Sequence, residues 1–290
     1  MRGIGRCAWL LGLGILTSAV CPLQPAPAGA DDLPTRLRDR GPGVPTSMFG
    51  TYVQRGELLV YPFFEYYLDD NREYKPSELG YGLEQDFRAK YRASEGILFV
   101  SYGVSSRVSV EMEAAFIKAR QERDPNDPSS VPAVIEESGS GDVEGQIRAR
   151  LLDETDRRPE IWSYFEAVTP QQKDKLLIGT PDWEFSLGAG VTRGTLWGTV
   201  TARLAGTYTV EDKSFAVGEY AIDYLRSVSS RWRLFAGFEG EQDDVSLITE
   251  AQWHFSRAAY LKLNNSFGVT SKATDWAPEV GILFSFLGQR

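Results

Sequence analysis

A histidine and a nearby serine are the residues whose types and spacing come nearest to covalent chemistry. His254 is the only histidine of the chain, and Ser256 follows it two positions later. A histidine can activate a serine nucleophile for ester hydrolysis when an acidic side chain orients its ring. Alternation along an extended strand places Trp253 and Phe255 on one face and His254 on the other, beside Glu250. This placement favours a histidine that is hydrogen-bonded to a neighbour over a catalytic one.

Charged side chains at alternate positions are the other residues that could carry a function. In the stretch that begins at Val143, acidic and basic residues such as Glu144 and Arg148 alternate with apolar residues such as Ile147. The candidate site residues on polar faces of this kind are Arg148, Arg150, Arg203, Arg233, Glu111, Glu113, Glu239, Glu250, Lys262 and His254, and Arg88, Lys90 and Arg92 are expected on the same face.

The chain carries no sequence pattern for a cofactor or a metal ion. It has no phosphate-binding glycine loop, zinc motif or nucleophile elbow. The paired carboxylates Asp243 and Asp244 lack the spaced ligands of an EF-hand loop. Both cysteines, Cys7 and Cys21, lie before residue 31, so the chain from residue 31 onward contains neither a disulfide nor a thiolate site. We therefore expect no cofactor and no bound metal.

The first thirty residues have the pattern of a secretory signal peptide. Arg2 and Arg6 form a positive start, an apolar stretch follows, and Ala28-Gly29-Ala30 has the form of a cleavage site. We expect a signal peptide at 1–30, a flexible periplasmic lead or plug at 31–55 and a β-barrel at 56–290. The lead is rich in Pro, Gly, Asp and Arg without a period, and the sequence does not decide whether it plugs the barrel or hangs free.

The remainder of the chain alternates apolar and polar residues in segments of strand length. The last segment, 276–286, has apolar residues at all of its even positions. Five short turns that contain Ser or Arg recur between such segments, at 105–107, 156–158, 192–194, 229–231 and 256–257. With both ends of the barrel segment on the same side, five such turns predict twelve antiparallel strands. The expected strands begin with 57–68 and a long segment at 83–104, which we expect to bend near Glu95 and Gly96, and the connections at 69–82, 120–141 and 169–182 are expected to be long polar loops.

Alternation alone fits two kinds of all-β protein. A soluble sandwich buries its apolar face, whereas a transmembrane barrel turns that face toward lipid and its charges toward the lumen. The expected signal peptide, the strand lengths, the contrast between short turns and long loops, and 12% aromatic residues favour the barrel. An even strand number also closes an antiparallel sheet without an edge. A net charge of −9 argues against nucleic acid as a partner.

Three stretches carry a resemblance to a known family. They are YGVSSRVSV at 102–110, WSYFEAVTP at 162–170 and the glycine-containing SLGAGV at 186–191. Together they resemble the transporter-like outer-membrane barrels grouped as proteins of the meta-pathway of phenol degradation, and the likeness covers roughly residues 58–286. The resemblance implies a barrel that helps small aromatic or hydrophobic compounds to cross the outer membrane of a Gram-negative cell.

The sequence therefore predicts a non-enzymatic, porin-like outer-membrane barrel for the passive transport of a small solute. The partners expected are outer-membrane lipid and lipopolysaccharide, the barrel-assembly machinery and the solute. A structural or adhesive barrel with a plugged lumen is the main alternative, and a periplasmic β-protein or a barrel lipid hydrolase are lesser ones. The inward charges either line a polar conduit or form a ladder of ion pairs, and the ladder is expected for most of them.

Overall fold

A computed structural model describes residues 33–171, 175–180, 182–210 and 213–288. The predicted signal peptide at 1–30 and the first two residues of the predicted lead lie outside the described residues. Among the residues described, no helix is long and apolar enough to cross a membrane.

The fold is a closed antiparallel barrel of twelve strands, as the alternation predicts. A 3-10 turn at Thr35–Leu37 and two short strands, β1 (Val44–Pro45) and β2 (Tyr52–Val53), precede it. The barrel strands are β3 (Glu57–Tyr74), β4 (Phe87–Gly103), β5 (Val108–Glu122), β6 (Val134–Leu152), β7 (Glu160–Thr169), β8 (Glu184–Gly194), β9 (Thr199–Thr209), β10 (Ser214–Ser227), β11 (Trp232–Glu241), β12 (Asp244–Trp253), β13 (Ala259–Gly268) and β14 (Trp276–Leu287). Each strand pairs with its neighbours in the sequence, and β14 pairs with β3 to close the ring.

The strands differ from the predicted ones in several places, and β3 continues to Tyr74, into the predicted loop 69–82. The turn between β8 and β9 lies at 195–198, just beyond the predicted 192–194. The β5–β6 hairpin continues through half of the predicted loop 120–141, because polar cross-strand pairs such as Arg120 with Glu136 hold it together outside the apolar zone. The predicted bend near Glu95 is wrong, since Glu95 pairs in register with Glu65 and Ile117. The irregularity lies at residues 69–72 of β3 instead.

The exterior of the barrel is apolar and its charges face inward. Leu187 and Leu204 are 68% and 60% exposed, whereas Arg148 and Lys262 are each 1% exposed. A water-soluble sandwich would show the reverse, because burying charge while exposing large apolar side chains is unfavourable in water. This inverted polarity is that of a barrel that spans a membrane with its outer face in lipid.

Residues 33–56, here called the inner segment, lie inside the turn-side half of the barrel. The β1–β2 pair forms within this segment, and Val44 and Val53 are fully buried. They belong to a core cluster with Leu59, Tyr61 and Phe99 of the barrel wall. The segment thus fills the end of the lumen at which the five short turns lie.

Ion pairs fix the first part of the inner segment to the barrel wall. The Arg40 guanidinium lies 3.1 Å from a carboxylate oxygen of Glu154 and 3.1 Å from one of Glu160, with all three side chains almost fully buried. The neighbouring Asp39 accepts a 2.8 Å hydrogen bond from the Ser227 backbone N–H. If Arg40 left this position, the buried carboxylates of Glu154 and Glu160 would lose a partner, which is costly. The cluster therefore holds this part of the inner segment against the wall.

The second part of the inner segment is held at its tip. The backbone N–H and the hydroxyl of Ser47 donate to the Glu111 carboxylate at 2.9 and 2.8 Å. The Lys262 ammonium donates to the Phe49 carbonyl at 3.2 Å, and the Phe49 ring lies 5.1 Å from that of Phe235. The tip is therefore attached to several strands at once.

We predict that Leu204→Arg destabilises the protein by about 2–4 kcal/mol, because it places a charge on the lipid-facing side near the middle of β9. The free energy of unfolding by urea in lipid vesicles measures this, with Leu204→Phe as the control that keeps the face apolar. A near-neutral effect of the arginine would mean that this face is in water.

We predict that Arg40→Ala loosens the inner segment while the barrel stays folded. The expected cost is about 2 kcal/mol rather than more, because Arg150 remains 2.9 Å from Glu160. Hydrogen exchange of peptides from 33–56 should therefore be roughly thirty times faster, with strand peptides unchanged. The control is Arg36→Ala, which removes an exposed pair with Asp156 and should change little. Equal exchange in wild type and Arg40→Ala would show that this cluster does not hold the segment.

Candidate functional site

Several inward charges beside the inner segment form ion pairs. Arg148 lies 3.5 Å from Glu111, and its guanidinium covers the Tyr164 ring at 4.7 Å. Lys262 lies 3.0 Å from Glu250, and both side chains are buried. Each of these two cations has a partner supplied by a neighbouring strand, which offsets the cost of burying both charges.

Arg203 on β9 is shared among three carboxylates. Its guanidinium lies 2.5 Å from Glu219 and 3.7 Å from Asp223, and it also contacts Glu239. One positive charge therefore serves three negative ones at the boundary between the inner segment and the open part of the lumen.

His254 lies in the turn after β12 and makes no catalytic arrangement. Its ring stacks on that of Tyr260 at 4.3 Å, and its Nε2 atom has no hydrogen-bond partner in the described part of the chain. The Ser256 hydroxyl contacts the backbone of its own turn, near Ala258 and Ala259. Neither a nucleophile nor an orienting carboxylate contacts the imidazole among the described residues, so the ring fills space beside Tyr260.

Above the inner segment the lumen opens into a chamber of about 640 Å³. Ser47, Met48 and Phe49, at the tip of the inner segment, form its floor. It extends to the ends of the strands at the long-loop rim, where Glu184 begins β8 and Glu241 ends β11. The chamber therefore occupies the half of the barrel that the inner segment leaves free.

The chamber wall is strongly acidic. Thirteen carboxylates line it, against only two basic side chains, those of Arg203 and Lys262. The carboxylates are Glu65, Glu95, Glu111, Glu113, Asp142, Glu144, Glu166, Glu184, Glu219, Glu239, Glu241, Asp244 and Glu279. Within the described ranges, only Glu111, Glu219 and Glu239 of this set form ion pairs. Focused negative charge of this kind attracts cations and repels anions.

The loop after β7 folds into the mouth of the chamber. The Thr180 backbone N–H donates to Asp142 at 2.6 Å, and the Leu177 backbone N–H donates to Glu137 at 2.8 Å. Ile178 is 2% exposed and packs against Tyr91 of the inner wall. Residues 175–180 therefore narrow the entrance from one side.

The structure places the predicted site residues at two levels. Five of them line the chamber, and the other five lie in the turn-side half around the inner segment. Those in the chamber are Glu111, Glu113, Arg203, Glu239 and Lys262. Those in the turn-side half are Arg148, Arg150, Arg233, Glu250 and His254.

The placement expected for Arg88, Lys90 and Arg92 on the inner face is wrong. On β4 the buried inward positions are the odd ones, such as Ala89 and Tyr91. The arginines lie near the outer rim instead, where Arg88 reaches Glu73 at 2.8 Å and Arg92 reaches Asp70 at 2.5 Å. Beyond the hydrocarbon zone the outside of a strand is wet, so it accepts these charges.

Sequence reasoning missed how the charges are divided along the barrel axis. Inward acids such as Glu65, Glu95 and Glu279 stand in the long-loop half without inward bases at the same level. Basic residues such as Arg148 and Arg150 stand close to the short turns instead. The sequence does contain a signal for this division. In an antiparallel barrel, the number of residues between a charged residue and its turn gives the height of that residue along the barrel axis.

No three carboxylate, histidine or cysteine side chains among the described residues converge closely enough to hold one metal ion. The acidic wall is therefore a distributed surface rather than a metal centre.

Comparison with known proteins gives structural neighbours only. Neither the protein-family models nor the curated proteins that were searched give a match to the sequence. Among solved structures, the COG4313 outer membrane channel from Pseudomonas putida F1 is similar, with a TM-score of 0.60 and 13% identity over 81% of this chain and 97% of that chain. The translocator domain of the autotransporter NalP from Neisseria meningitidis has a TM-score of 0.49 and 12% identity, covering 80% of this chain and 88% of that one. The KdgM porin has a TM-score of 0.48 and 8% identity over 79% and 99% of the two chains. At these identities the comparison with the P. putida channel establishes a shared barrel fold.

Proposed function

We propose that the protein is an outer-membrane channel through which small solutes move passively. The observation that carries this proposal is the chamber of about 640 Å³ inside an apolar exterior, which reaches the long-loop rim and is lined by polar groups. Long loops face the outside of the cell in barrels of this kind, so the chamber opens outward and the inner segment faces the periplasm. The shared fold with a P. putida outer membrane channel and the signal peptide expected at 1–30 support the location.

The inner segment sets the conducting state in this proposal. Beside Thr201, Asp223 and Leu225, the crevice between the inner segment and the wall measures only about 30 Å³. That volume suits a single water molecule rather than an organic solute. In this proposal, transit past this crevice requires the segment to shift, and the Arg40 cluster is one of the contacts that must yield.

The resemblance and the chamber together support a proposal for the solute class. The family resemblance implies small aromatic or hydrophobic compounds, and an apolar part of the wall, with Phe63, Ile97 and Phe99, offers a surface for such groups. Lipid and lipopolysaccharide around the exterior and the barrel-assembly machinery are the other partners in this proposal. No catalytic step is part of it, and His254 has a packing role.

A structural barrel with a permanently plugged lumen is the second candidate. The many contacts of the inner segment, from Arg40 to Phe49, favour it. It differs from a channel in one measurable respect, because a permanently plugged barrel conducts no ions.

We predict discrete single-channel steps when the purified protein is reconstituted in planar lipid bilayers. Arg40→Ala should raise the open fraction at least about tenfold, because weakening the buried ion-pair cluster favours the displaced inner segment. Arg36→Ala, with its exposed pair, should behave like wild type.

Folding of each variant is checked by its heat-modifiable mobility on gels. Complete silence from folded wild type and folded Arg40→Ala would contradict the channel and favour the structural barrel.

A further inference from the structure

Three carboxylates stand side by side on neighbouring strands of the chamber wall. Glu279 of β14 lies directly opposite Glu65 of β3, and Glu65 lies directly opposite Glu95 of β4. All three line the chamber, and in the described part of the chain no basic side chain pairs with them. The Tyr61 and Tyr67 hydroxyls donate hydrogen bonds to Glu279 and Glu65, but neither neutralises a charge. Like charges directly opposite each other destabilise a sheet, so a positive charge placed here would relieve the repulsion.

The oxygen of a buried side-chain amide beside the row accepts no hydrogen bond from the described residues. Asn264 of β13 lies opposite Glu279, is 4% exposed and lines the chamber. Its Nδ2 group donates to the Glu279 carboxylate at 3.1 Å, while its Oδ1 atom has no partner among the described residues. Burying an unpaired carbonyl oxygen is costly, so this atom marks a place for a ligand N–H group.

An apolar surface adjoins the same carboxylates. Phe63 precedes Glu65 by two positions on the inward face of β3, and its ring stacks on Tyr61 at 4.6 Å. Ile97 follows Glu95 by two positions on β4, and both apolar side chains line the chamber. A ligand that reaches the carboxylates therefore lies against hydrocarbon with the rest of its body.

The chemistry of the row selects among cations. The carboxylates stand on separate strands, and no group of three among the described residues is close enough to ligate one metal ion. An ammonium group instead donates hydrogen bonds in several directions from one centre, which suits dispersed acceptors. Anionic aromatic compounds are repelled by the same wall.

We propose that this part of the chamber binds organic ammonium ions that carry a small aromatic or alkyl body. The ammonium group lies among Asn264, Glu279, Glu65 and Glu95, and the apolar body lies on Phe63 and Ile97. The inference names the solute class of the proposed channel and in that sense rests on it. Binding at the site can be measured without conduction.

The test uses three probes that have similar size and differ in charge: benzylammonium, benzyl alcohol and benzoate. Calorimetric titration of the purified full-length mature protein in detergent at low salt should show that benzylammonium binds at least about tenfold more tightly than benzyl alcohol. Benzoate should show no binding. Raising the salt concentration should weaken the binding of benzylammonium and leave that of benzyl alcohol unchanged.

Isosteric variants locate the site. Glu279→Gln and Glu65→Gln should each weaken benzylammonium binding about tenfold, since each removes one negative charge from the row. The matched control is Glu84→Gln, which makes the same chemical change at an exposed position of the outer loop. Heat-modifiable mobility shows which variants are folded.

Equal affinity for benzylammonium and benzyl alcohol in the wild type overturns the proposal whether or not any variant folds. Folded Glu279→Gln and Glu65→Gln that both bind like wild type also overturn it. The binding test and the conductance test can give different answers. Tight, charge-selective binding to a barrel that conducts no ions would support the ammonium site and contradict the proposed channel. Conduction without charge-selective binding would support the channel and contradict the ammonium site.

Discussion

The structure depends on one constraint: within hydrocarbon, every backbone N–H and C=O must be paired inside the protein. Twelve strands closed by the pairing of β14 with β3 meet this constraint without a free edge. Closure fixes the alternation of side chains, so one face of every strand meets lipid and the other meets the lumen. Charges on strand segments within the hydrocarbon zone are thereby directed inward, where each must find a partner, water or a ligand.

The two halves of the lumen meet that requirement differently. In the turn-side half the inner segment supplies partners of its own, with Arg40 between Glu154 and Glu160 and Ser47 on Glu111. In the long-loop half, among the described residues, only the loop at 175–180 enters the mouth, and an excess of carboxylates faces an open volume. The same barrel thus combines a closed end that is held by internal ion pairs with an acidic end that is open to solutes.

Local patterns in the sequence were sufficient to predict the barrel. Period-two alternation and short Ser- and Arg-containing turns fix strand number and polarity, because both are properties of neighbouring residues. The sequence left open whether residues 31–55 plug the barrel or hang free. Arg40 reaches partners 114 and 120 positions away, and no periodic signal predicts such contacts. The extended β5–β6 hairpin was missed because its Gly- and Ser-containing stretch before residue 141 has the composition of a loop. The acidic chamber could be predicted only in part. Alternation along the strands placed Glu113 and Glu239 inside the barrel, but it did not show that they lie farther along the barrel axis than the basic residues.

The most direct test of a channel with an acidic chamber is the reversal potential of the reconstituted protein across a potassium chloride gradient. The account predicts a potential whose sign shows that potassium permeates in preference to chloride, because ten of the chamber carboxylates lack ion pairs within the described residues. A potential that shows preference for chloride, or a folded barrel that conducts neither ion, would contradict it.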